Sequence, residues 1–426
     1  MKKALHLVLL MAVNIVVGTA CGTSKRNENI TSHVSESKQE QVAMLEETQQ
    51  EMTVVSTEQQ EQSLVTDEMY DRATKFLEGD LTRLASVMRR AKRGEDIVVG
   101  VIGGSITEQY SASSYSKCYA YLVQKAWEKR FPNAKISLVN AGIGGTNSYL
   151  GVHRVESDLL AQEPDFVIVE FSVNDGNNAF YKKSYDNLVR RIIKDEKNPA
   201  VMLLFTTQED GTNAQENDSA IGFKYRLPMI SYGNAVLTEI ENGTMKWSDI
   251  SPDNVHPNDT GHAIIAELID RYLESVYTKL DEIDQEITPF TERALTVESY
   301  AEARMETAAT LEPISMGSFE KKQVNYYFKD NWYTCEGEEA IVFEVEASNI
   351  GIAYQRTVDG MYGQFDVYID GEWITTLDGN FENGWGTSIE TVELYTSKEQ
   401  AVHEIKIQKK ENSTGNLFTI ISLLIS

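Results

Sequence analysis

The sequence predicts two folded regions of different class, a three-layer α/β/α domain over residues 66–280 and an antiparallel β-sandwich of jelly-roll type over residues 321–426. In the first region, continuous apolar segments alternate with segments of helical periodicity, as in a parallel sheet that carries helices on both faces. In the second region, short alternating and aromatic segments are separated by turn signals such as Asp370-Gly371, which is typical of antiparallel strands.

Composition limits the function classes. At 426 residues the chain is too long for one ordinary domain, so two domains with additional segments are expected. Its formal net charge of −26 argues against a nucleic-acid partner, because phosphates bind basic surfaces. None of its six histidines stands at metal-ligand spacing from another histidine or a cysteine. The composition therefore predicts neither a metal ion nor a cofactor, and it leaves the oligomeric state open.

Residues 1–21 have the layout of a signal peptide, with a positive start, an apolar run over residues 4–17 and small residues that end in Cys21. This ending resembles the lipobox of bacterial lipoproteins, in which the cysteine is lipidated, although Gly18 stands where leucine is usual. The resemblance implies an exported protein that is anchored to the cell membrane. Cleavage after Ala20, which would give a secreted protein, is the alternative.

Two segments are expected to lack a fold of their own. Residues 22–65 are rich in Gln, Glu, Ser and Thr without an aromatic residue, so they cannot bury enough apolar surface and are predicted to form a disordered tether. Residues 281–320 are rich in Glu and Thr and are predicted to connect the two domains.

An amphipathic helix is expected at the start of the α/β region. Its apolar residues recur at spacings of three and four, Thr66 or Asp67 suits its N-cap, and Gly94 ends it. The predicted strands that follow cover residues 97–102, 136–139, 166–171 and 201–205. The predicted helices cover residues 119–130, 148–160, 184–193 and 261–276. Functional loops are expected where the carboxyl ends of the strands meet.

Ser105 stands directly after the first predicted strand, behind Gly103 and Gly104. Two glycines at this point let the backbone turn sharply and let a substrate approach closely. Ser105 could therefore be a nucleophile at the ligand-binding edge of the sheet, or it could only cap the next helix. This stretch alone does not decide between the two.

Three later loops supply the other groups that acyl transfer needs. These groups are a base, a carboxylate that orients the base, and N–H donors for the oxyanion. His256 is the candidate base, and Asp253 stands three residues earlier, where a tight turn brings it to the imidazole. The candidate donors are the N–H of Ser105, a backbone N–H of the glycine-rich loop 140–148, and the side-chain amide of Asn174.

Together these blocks resemble the SGNH, or GDSL-type, hydrolase superfamily. The matching blocks are residues 103–107, 140–148, 172–175 and 253–256. The resemblance implies a flavodoxin-like fold, Ser105 as nucleophile, the Asp253–His256 pair, Asn174 as oxyanion donor, and a glycine donor at Gly145 or alternatively Gly144. The family often carries aspartate immediately before the serine, whereas this chain has Gly104.

Several residues also have plainer interpretations. Residues 174–176 fit an ordinary turn, and residues 253–256 fit a loop that enters a helix. His262 competes with His256 for the role of base but is expected to pack at the helix start, and His153 is expected to be structural. Thr206, Thr207 and Gln208 end a strand at the same edge and could touch substrate, while Trp247 is expected to be a core residue or a pocket wall.

In the C-terminal region, strands are predicted at residues 326–328, 340–345, 365–369, 403–407 and 417–425. Trp332, Trp373 and Trp385 could stack on sugar rings or form the core. Cys118 and Cys335 fall in different regions, so no disulfide framework is expected.

These observations predict a serine esterase that hydrolyses short acyl esters, above all O-acetyl groups, on small molecules or polysaccharides. Two alternatives remain at this stage. One is a catalytically idle surface protein that binds glycans, and the other is an esterase or lipase that acts on other acyl esters.

Overall fold

The computed structural model describes residues 63–76, 79–382 and 386–426. The predicted signal peptide with Cys21, most of the predicted tether, and Trp385 lie outside the described residues. Residues 63–426 form one compact unit. Within the described ranges, none of the helices combines the length and the hydropathy that a bilayer-spanning segment needs.

The first domain contains a five-stranded parallel sheet with the strand order β2-β1-β3-β4-β5. Its strands are β1 (Ile97–Gly103), β2 (Ile136–Gly142), β3 (Phe166–Glu170), β4 (Ala200–Phe205) and β5 (Met229–Ser231). This order is that of flavodoxin-like folds, in which ligands bind at the carboxyl ends of the strands beside the first strand. The predicted α/β class is therefore confirmed, and β5 is a strand that the sequence pattern did not indicate.

Helices cover both faces of this sheet. They are α1 (Asp67–Ala73), α2 (Thr82–Lys92), α3 (Ser105–Glu108), α4 (Tyr119–Arg130), α5 (Ser148–Asp158), α6 (Ala179–Ile193), α7 (Gln215–Tyr225), α8 (Tyr232–Glu241), α9 (Trp247–Ile250) and α10 (Asp259–Tyr277). Helices α1, α2, α4, α8 and α10 pack on one face, and α5, α6 and α7 pack on the other. Strands buried on both faces explain the continuous apolar runs in the sequence.

The prediction of one long helix ending at Gly94 is wrong, because α1 and α2 are separate helices. Thr66 caps α1 as expected, and Gly94 follows α2 with a φ of +84°. The break contains Gly79, which has a φ of +84°. A β-carbon at this position would lie only 2.6 Å from the carbonyl oxygen of Arg226. Asp80 then accepts the N–H of Thr82 at 2.9 Å and starts α2.

The C-terminal region is an antiparallel sheet of eight strands. They are β6 (Arg304–Glu306), β7 (Glu320–Lys322), β8 (Asn331–Thr334), β9 (Ile341–Thr357), β10 (Gln364–Ile369), β11 (Glu372–Asp378), β12 (Thr387–Lys409) and β13 (Phe418–Ile425). The order is β11-β10-β12-β9-β13-β8-β7, with β6 beside β13. Residues 304–306 of the predicted connector therefore belong to this sheet.

The predicted sandwich is one hydrogen-bonded sheet that folds over itself. The rings of Phe365 on β10 and Phe418 on β13 stack with centroids 4.4 Å apart, although two other strands lie between them in the sheet order. Trp332 is fully buried in the core between these layers, whereas Trp373 is 58% exposed. The prediction of a strand over residues 326–328 is wrong. Asn325 Oδ1 accepts the backbone N–H groups of Tyr327 and Phe328, and these hydrogen bonds form a turn there.

The two sheets share one layer of helices. Every residue of α5 from Ser148 to Val155 is buried, because the parallel sheet covers one side of this helix and the C-terminal sheet covers the other. The fit is close at Gly351 on β9, where an added β-carbon would lie 2.1 Å from the hydroxyl of Tyr149. The C-terminal sheet therefore lies directly on the helix that follows the glycine-rich loop.

Candidate active site

The first strand delivers Ser105 to the carboxyl edge of the parallel sheet. Strand β1 ends at Gly103, and Ser105 is the first residue of α3, with only 8% of its surface exposed. Its Oγ lies 3.0 Å from Nε2 of His256, which is 151 residues away in the sequence. This distance allows a direct hydrogen bond between a candidate nucleophile and a candidate base.

One carboxylate fixes the imidazole. Asp253 Oδ2 lies 2.9 Å from Nδ1 of His256, and Oδ1 accepts the backbone N–H groups of His256 at 2.7 Å and Val255 at 2.8 Å. Burial by itself would raise the pKa of Asp253, but these hydrogen bonds outweigh burial and lower the pKa below its ordinary value. An ionised Asp253 can hold the tautomer that leaves Nε2 free to take a proton from Ser105.

Neighbouring side chains brace this loop. Ser251 Oγ lies 2.7 Å from the carbonyl oxygen of Asp253 and 2.6 Å from that of His256. Trp247 is a buried core residue whose indole N–H also donates to the Asp253 carbonyl, at 2.6 Å. The ring of Tyr110 lies over the imidazole at a centroid distance of 4.4 Å. The sequence offered no signal for the contacts of Ser251 and Tyr110.

The side chain of Asn174 occupies the space beside Gly104. A β-carbon added to Gly104 would lie 2.1 Å from Oδ1 and 2.8 Å from Cγ of Asn174. Asn174 follows β3 on a turn in which its N–H donates to the Phe171 carbonyl at 2.9 Å. A side chain at position 104 would therefore require Asn174 to move.

The glycine-rich loop also borders Ser105. A β-carbon on Gly144 would lie 3.8 Å from the β-carbon of Ser105. The N–H of Gly144 donates to Glu108 Oε2 at 2.7 Å, so this N–H already has an acceptor. Gly145 has a φ of +70°, a backbone conformation that favours glycine.

Buried carboxyl groups support the loops from beneath. Glu170 at the end of β3 accepts the hydroxyls of Thr107 at 2.9 Å and Thr206 at 2.6 Å, so Thr206 binds a buried acid. Asp175 Oδ1 accepts the N–H of Ser148 at 3.0 Å and so joins the loop of Asn174 to the start of α5. Burial raises the pKa of Asp175 to about 7.

The other two candidate histidines of this domain lie apart from Ser105. The ring of His262 accepts the N–H of Tyr119 at 3.3 Å and lies 3.3 Å from the Tyr110 carbonyl, and burial lowers its pKa to about 4. Nδ1 of His153 lies 2.7 Å from the Tyr149 carbonyl, and burial lowers its pKa to about 3. Among the described residues, no three His, Cys, Asp or Glu side chains converge as a metal site would require.

A polar cleft of about 340 Å³ is lined by Glu108, Gln109, Tyr110 and residues 112–115, the segment that follows Ser105 in the sequence. The rings of Tyr110 and Tyr115 are half exposed there. The C-terminal sheet domain reaches this cleft as well, because the Tyr327 hydroxyl lies 2.8 Å and 3.0 Å from the two carboxylate oxygens of Glu108. Neither Glu108 nor Tyr327 was singled out from the sequence, although Glu108 stands only three residues after Ser105.

Part of the chain is similar to known hydrolases. The model of the GDSL-like Lipase/Acylhydrolase family matches residues 101–264. Thioesterase 1/protease 1/lysophospholipase L1 of Escherichia coli (strain K12) is 26% identical over 182 residues, which are 41% of this chain and 82% of that protein.

Solved structures extend the similarity to both domains. One is the crystal structure of a two-domain esterase (CEX) active on acetylated mannans, at 33% identity and a TM-score of 0.79, covering 84% of this chain and 98% of that one. The same esterase co-crystallized with mannopentaose gives a TM-score of 0.77 at 33% identity, covering 84% of this chain and 97% of that one. The chain therefore belongs to the GDSL-like lipase/acylhydrolase family of SGNH hydrolases, and it is an esterase.

Proposed function

We propose that this esterase removes short acyl groups, above all acetyl groups, from carbohydrates by a Ser-His-Asp mechanism. The observation that carries the proposal is the unbroken hydrogen-bonded series from Ser105 Oγ through His256 to Asp253, with distances of 3.0 Å and 2.9 Å. Such a series is the arrangement that activates a serine hydroxyl at neutral pH.

The reaction proceeds in two halves. His256 Nε2 takes the proton of Ser105 while Oγ attacks the ester carbonyl, and the oxyanion accepts hydrogen bonds from the N–H groups of Ser105 and Gly145 and from the Asn174 amide. His256 then donates its proton to the departing alcohol, which leaves an acyl-serine. Water, deprotonated by His256, attacks this ester, and Ser105 recovers its proton as the acid departs.

Two observations support an acetylated carbohydrate as the substrate. The relative that is active on acetylated mannans is similar over both domains, including the C-terminal sheet domain that reaches the cleft. The cleft is lined by polar side chains and by half-exposed tyrosines, of which Tyr110 contacts the imidazole of His256, and this lining suits the hydroxyls and the apolar faces of sugar rings.

The test is hydrolysis of p-nitrophenyl acetate by the wild type and by Ser105→Ala. The variant is expected to lose activity by several orders of magnitude, and a fluorophosphonate probe is expected to label Ser105 in the wild type only. Equal rates in both proteins would leave a glycan-binding role instead. Labelling at another residue would keep the serine-hydrolase class but overturn the assignment of Ser105.

Substrate class is tested by acetate release from acetylated mannan, acetylated xylan and a long-chain p-nitrophenyl ester. Release from a glycan at a higher kcat/KM than from the long-chain ester supports the proposal. The reverse order would assign the enzyme to lipid-like esters.

We also propose that Cys21 anchors the protein to the membrane, on the strength of the lipobox-like sequence that ends in this cysteine. Cys21→Ala is expected to move the protein from the membrane fraction to the soluble exported fraction. Unchanged fractionation would favour cleavage after Ala20 without an anchor.

A further inference from the structure

The loop that carries Gly145 has few contacts of its own at that residue. A β-carbon on Gly145 would meet no atom within 4 Å, so the glycine is not held by packing. A local turn, in which the N–H and hydroxyl of Thr146 lie 3.3 Å and 2.7 Å from the Ile143 carbonyl, shapes the loop but does not tie it to the rest of the protein. The position of the Gly145 N–H therefore depends on how the residues on either side are anchored.

On the amino-terminal side, the Ile143 N–H donates to the Gly103 carbonyl at 3.1 Å, and a second anchor runs through Glu108 to the C-terminal sheet domain. Glu108 Oε2 accepts the Gly144 N–H at 2.7 Å, and the Tyr327 hydroxyl donates to the same carboxylate. Burial and the neighbouring Glu108 carboxylate raise the pKa of Tyr327, so its hydroxyl remains a donor. Tyr327 is itself fixed, because its N–H donates to Asn325 Oδ1 at 3.0 Å and Asn325 bonds to Gln355 on β9 at 3.2 Å.

On the carboxyl-terminal side, Asn147 is an anchor in addition to the bond between the Ser148 N–H and Asp175. The Oδ1 of Asn147 caps α5 by accepting the Leu150 N–H at 3.0 Å, and its Nδ2 donates to Thr391 Oγ1 on β12 at 3.1 Å. The glycine-rich loop is therefore bonded to the C-terminal sheet domain on both sides of Gly145, at two points far apart in the sequence.

We propose that the C-terminal sheet domain is a working part of the esterase site, in which Tyr327 and Thr391 are positioning residues that aim the Gly145 N–H at the oxyanion. This inference rests on the proposed Ser-His-Asp mechanism. Loss of the Tyr327 hydroxyl removes a donor that holds the Glu108 carboxylate in place. The carboxylate can then shift together with the Gly144 N–H that it accepts, and this shift moves the next N–H away from the oxyanion. Small misplacements of this kind are costly because the donor acts mainly in the transition state.

The experiment uses p-nitrophenyl acetate, whose alcohol carries no sugar, so that glycan contacts of the C-terminal domain do not contribute. Tyr327→Phe is expected to lower kcat about tenfold with KM unchanged, and Tyr327→Phe combined with Thr391→Val to lower it about a hundredfold. Thr391→Val alone is also expected to lower kcat, whereas Thr391→Ser keeps the acceptor oxygen for Asn147 and is expected to keep wild-type kcat. The matched control is Tyr326→Phe, since Tyr326 is 83% exposed and is expected to keep wild-type kcat.

A second readout separates positioning from general loosening of the fold. The rate of Ser105 phosphonylation is expected to fall in parallel with kcat, because the phosphonate oxygen occupies the same oxyanion position, while the melting temperature stays near that of the wild type. Wild-type kcat in the double variant, or an equal loss in Tyr326→Phe, would overturn the inference. Full activity of Ser105→Ala would instead overturn the proposed mechanism, so the two failures are distinguishable.

Discussion

Gly104 and Asn174 are in such close contact that a β-carbon on residue 104 would lie 2.1 Å from Asn174 Oδ1. The two residues belong to different loops, one after β1 and one after β3. The absence of a side chain at position 104 leaves the space that the Asn174 side chain occupies, beside the residue that precedes Ser105. This fit connects a departure from the family pattern to the proposed oxyanion site.

Gly104→Ala is therefore expected to push Asn174 aside and to lower kcat for p-nitrophenyl acetate about a hundredfold, which is the usual cost of losing one oxyanion donor. Gly104 has a φ of −90°, so alanine needs no left-handed backbone and the fold should be retained. Circular dichroism and thermal unfolding check the fold, and steady-state kinetics give kcat.

The control for that prediction is the same substitution in an Asn174→Ala background. With the amide already gone, the added methyl group has room, and Gly104→Ala should cause little further loss. Additive losses in the double variant would show that Gly104 acts through something other than Asn174.

Asp253→Asn is expected to lower kcat by a factor of about 10²–10⁴, because asparagine no longer stabilises the imidazolium and can select the wrong tautomer of His256. The asparagine oxygen can still accept the backbone N–H groups of Val255 and His256, so the loop should persist. Asp249→Asn is a matched control, because Asp249 stands four residues before Asp253 and likewise accepts a backbone N–H, that of Lys246. A similar loss in both variants would contradict an orienting role for Asp253.

Stability is expected to fall in mild acid because of His262. Its pKa is about 4 in the folded protein, below the ordinary value of 6.5, so between these values the unfolded chain binds a proton that the folded protein does not. The free energy of unfolding therefore decreases as the pH falls, with about 2 kcal/mol lost by pH 5 through this residue. Urea unfolding at pH 7 and pH 5 should show a smaller decrease for His262→Asn than for the wild type, and equal decreases would refute the assignment.

Asp175 is expected to make the free energy of unfolding depend on pH in the opposite direction. Its pKa of about 7 lies above the ordinary value of 3.8, so between these values the folded protein holds a proton that the unfolded chain releases. The free energy of unfolding therefore decreases as the pH rises, by about 3 kcal/mol between pH 5 and pH 8 through this residue. Asp175→Asn keeps an acceptor for the Ser148 N–H and should gain stability relative to the wild type at pH 8 but not at pH 5.

Much of the architecture followed from local patterns. Apolar runs between helical segments predicted the parallel sheet, and the predicted helix over residues 119–130 has the same bounds as α4. The order of the motifs predicted that Ser105, Asp253 and His256 would meet, because parallel strands deliver their carboxyl ends to one edge. These features depend on neighbours in the sequence and on a general rule of sheet topology.

Other features depended on contacts between distant residues. The break between α1 and α2 involves the carbonyl of Arg226 against Gly79, and the acceptor of the Gly144 N–H is Glu108. The approach of Tyr327 to the cleft follows from the packing of the C-terminal sheet on α5.

The sequence by itself determined the fold class, the family resemblance and the identity of the three residues that form the Ser-His-Asp series. Only the tertiary structure decided which glycine N–H already has an acceptor, which side chain fills the space beside residue 104, and that the C-terminal domain contacts Glu108. The reason is physical, since periodicity and motif order record local backbone preferences. Steric fit and hydrogen-bond partners are set by side chains that meet only after the chain has folded.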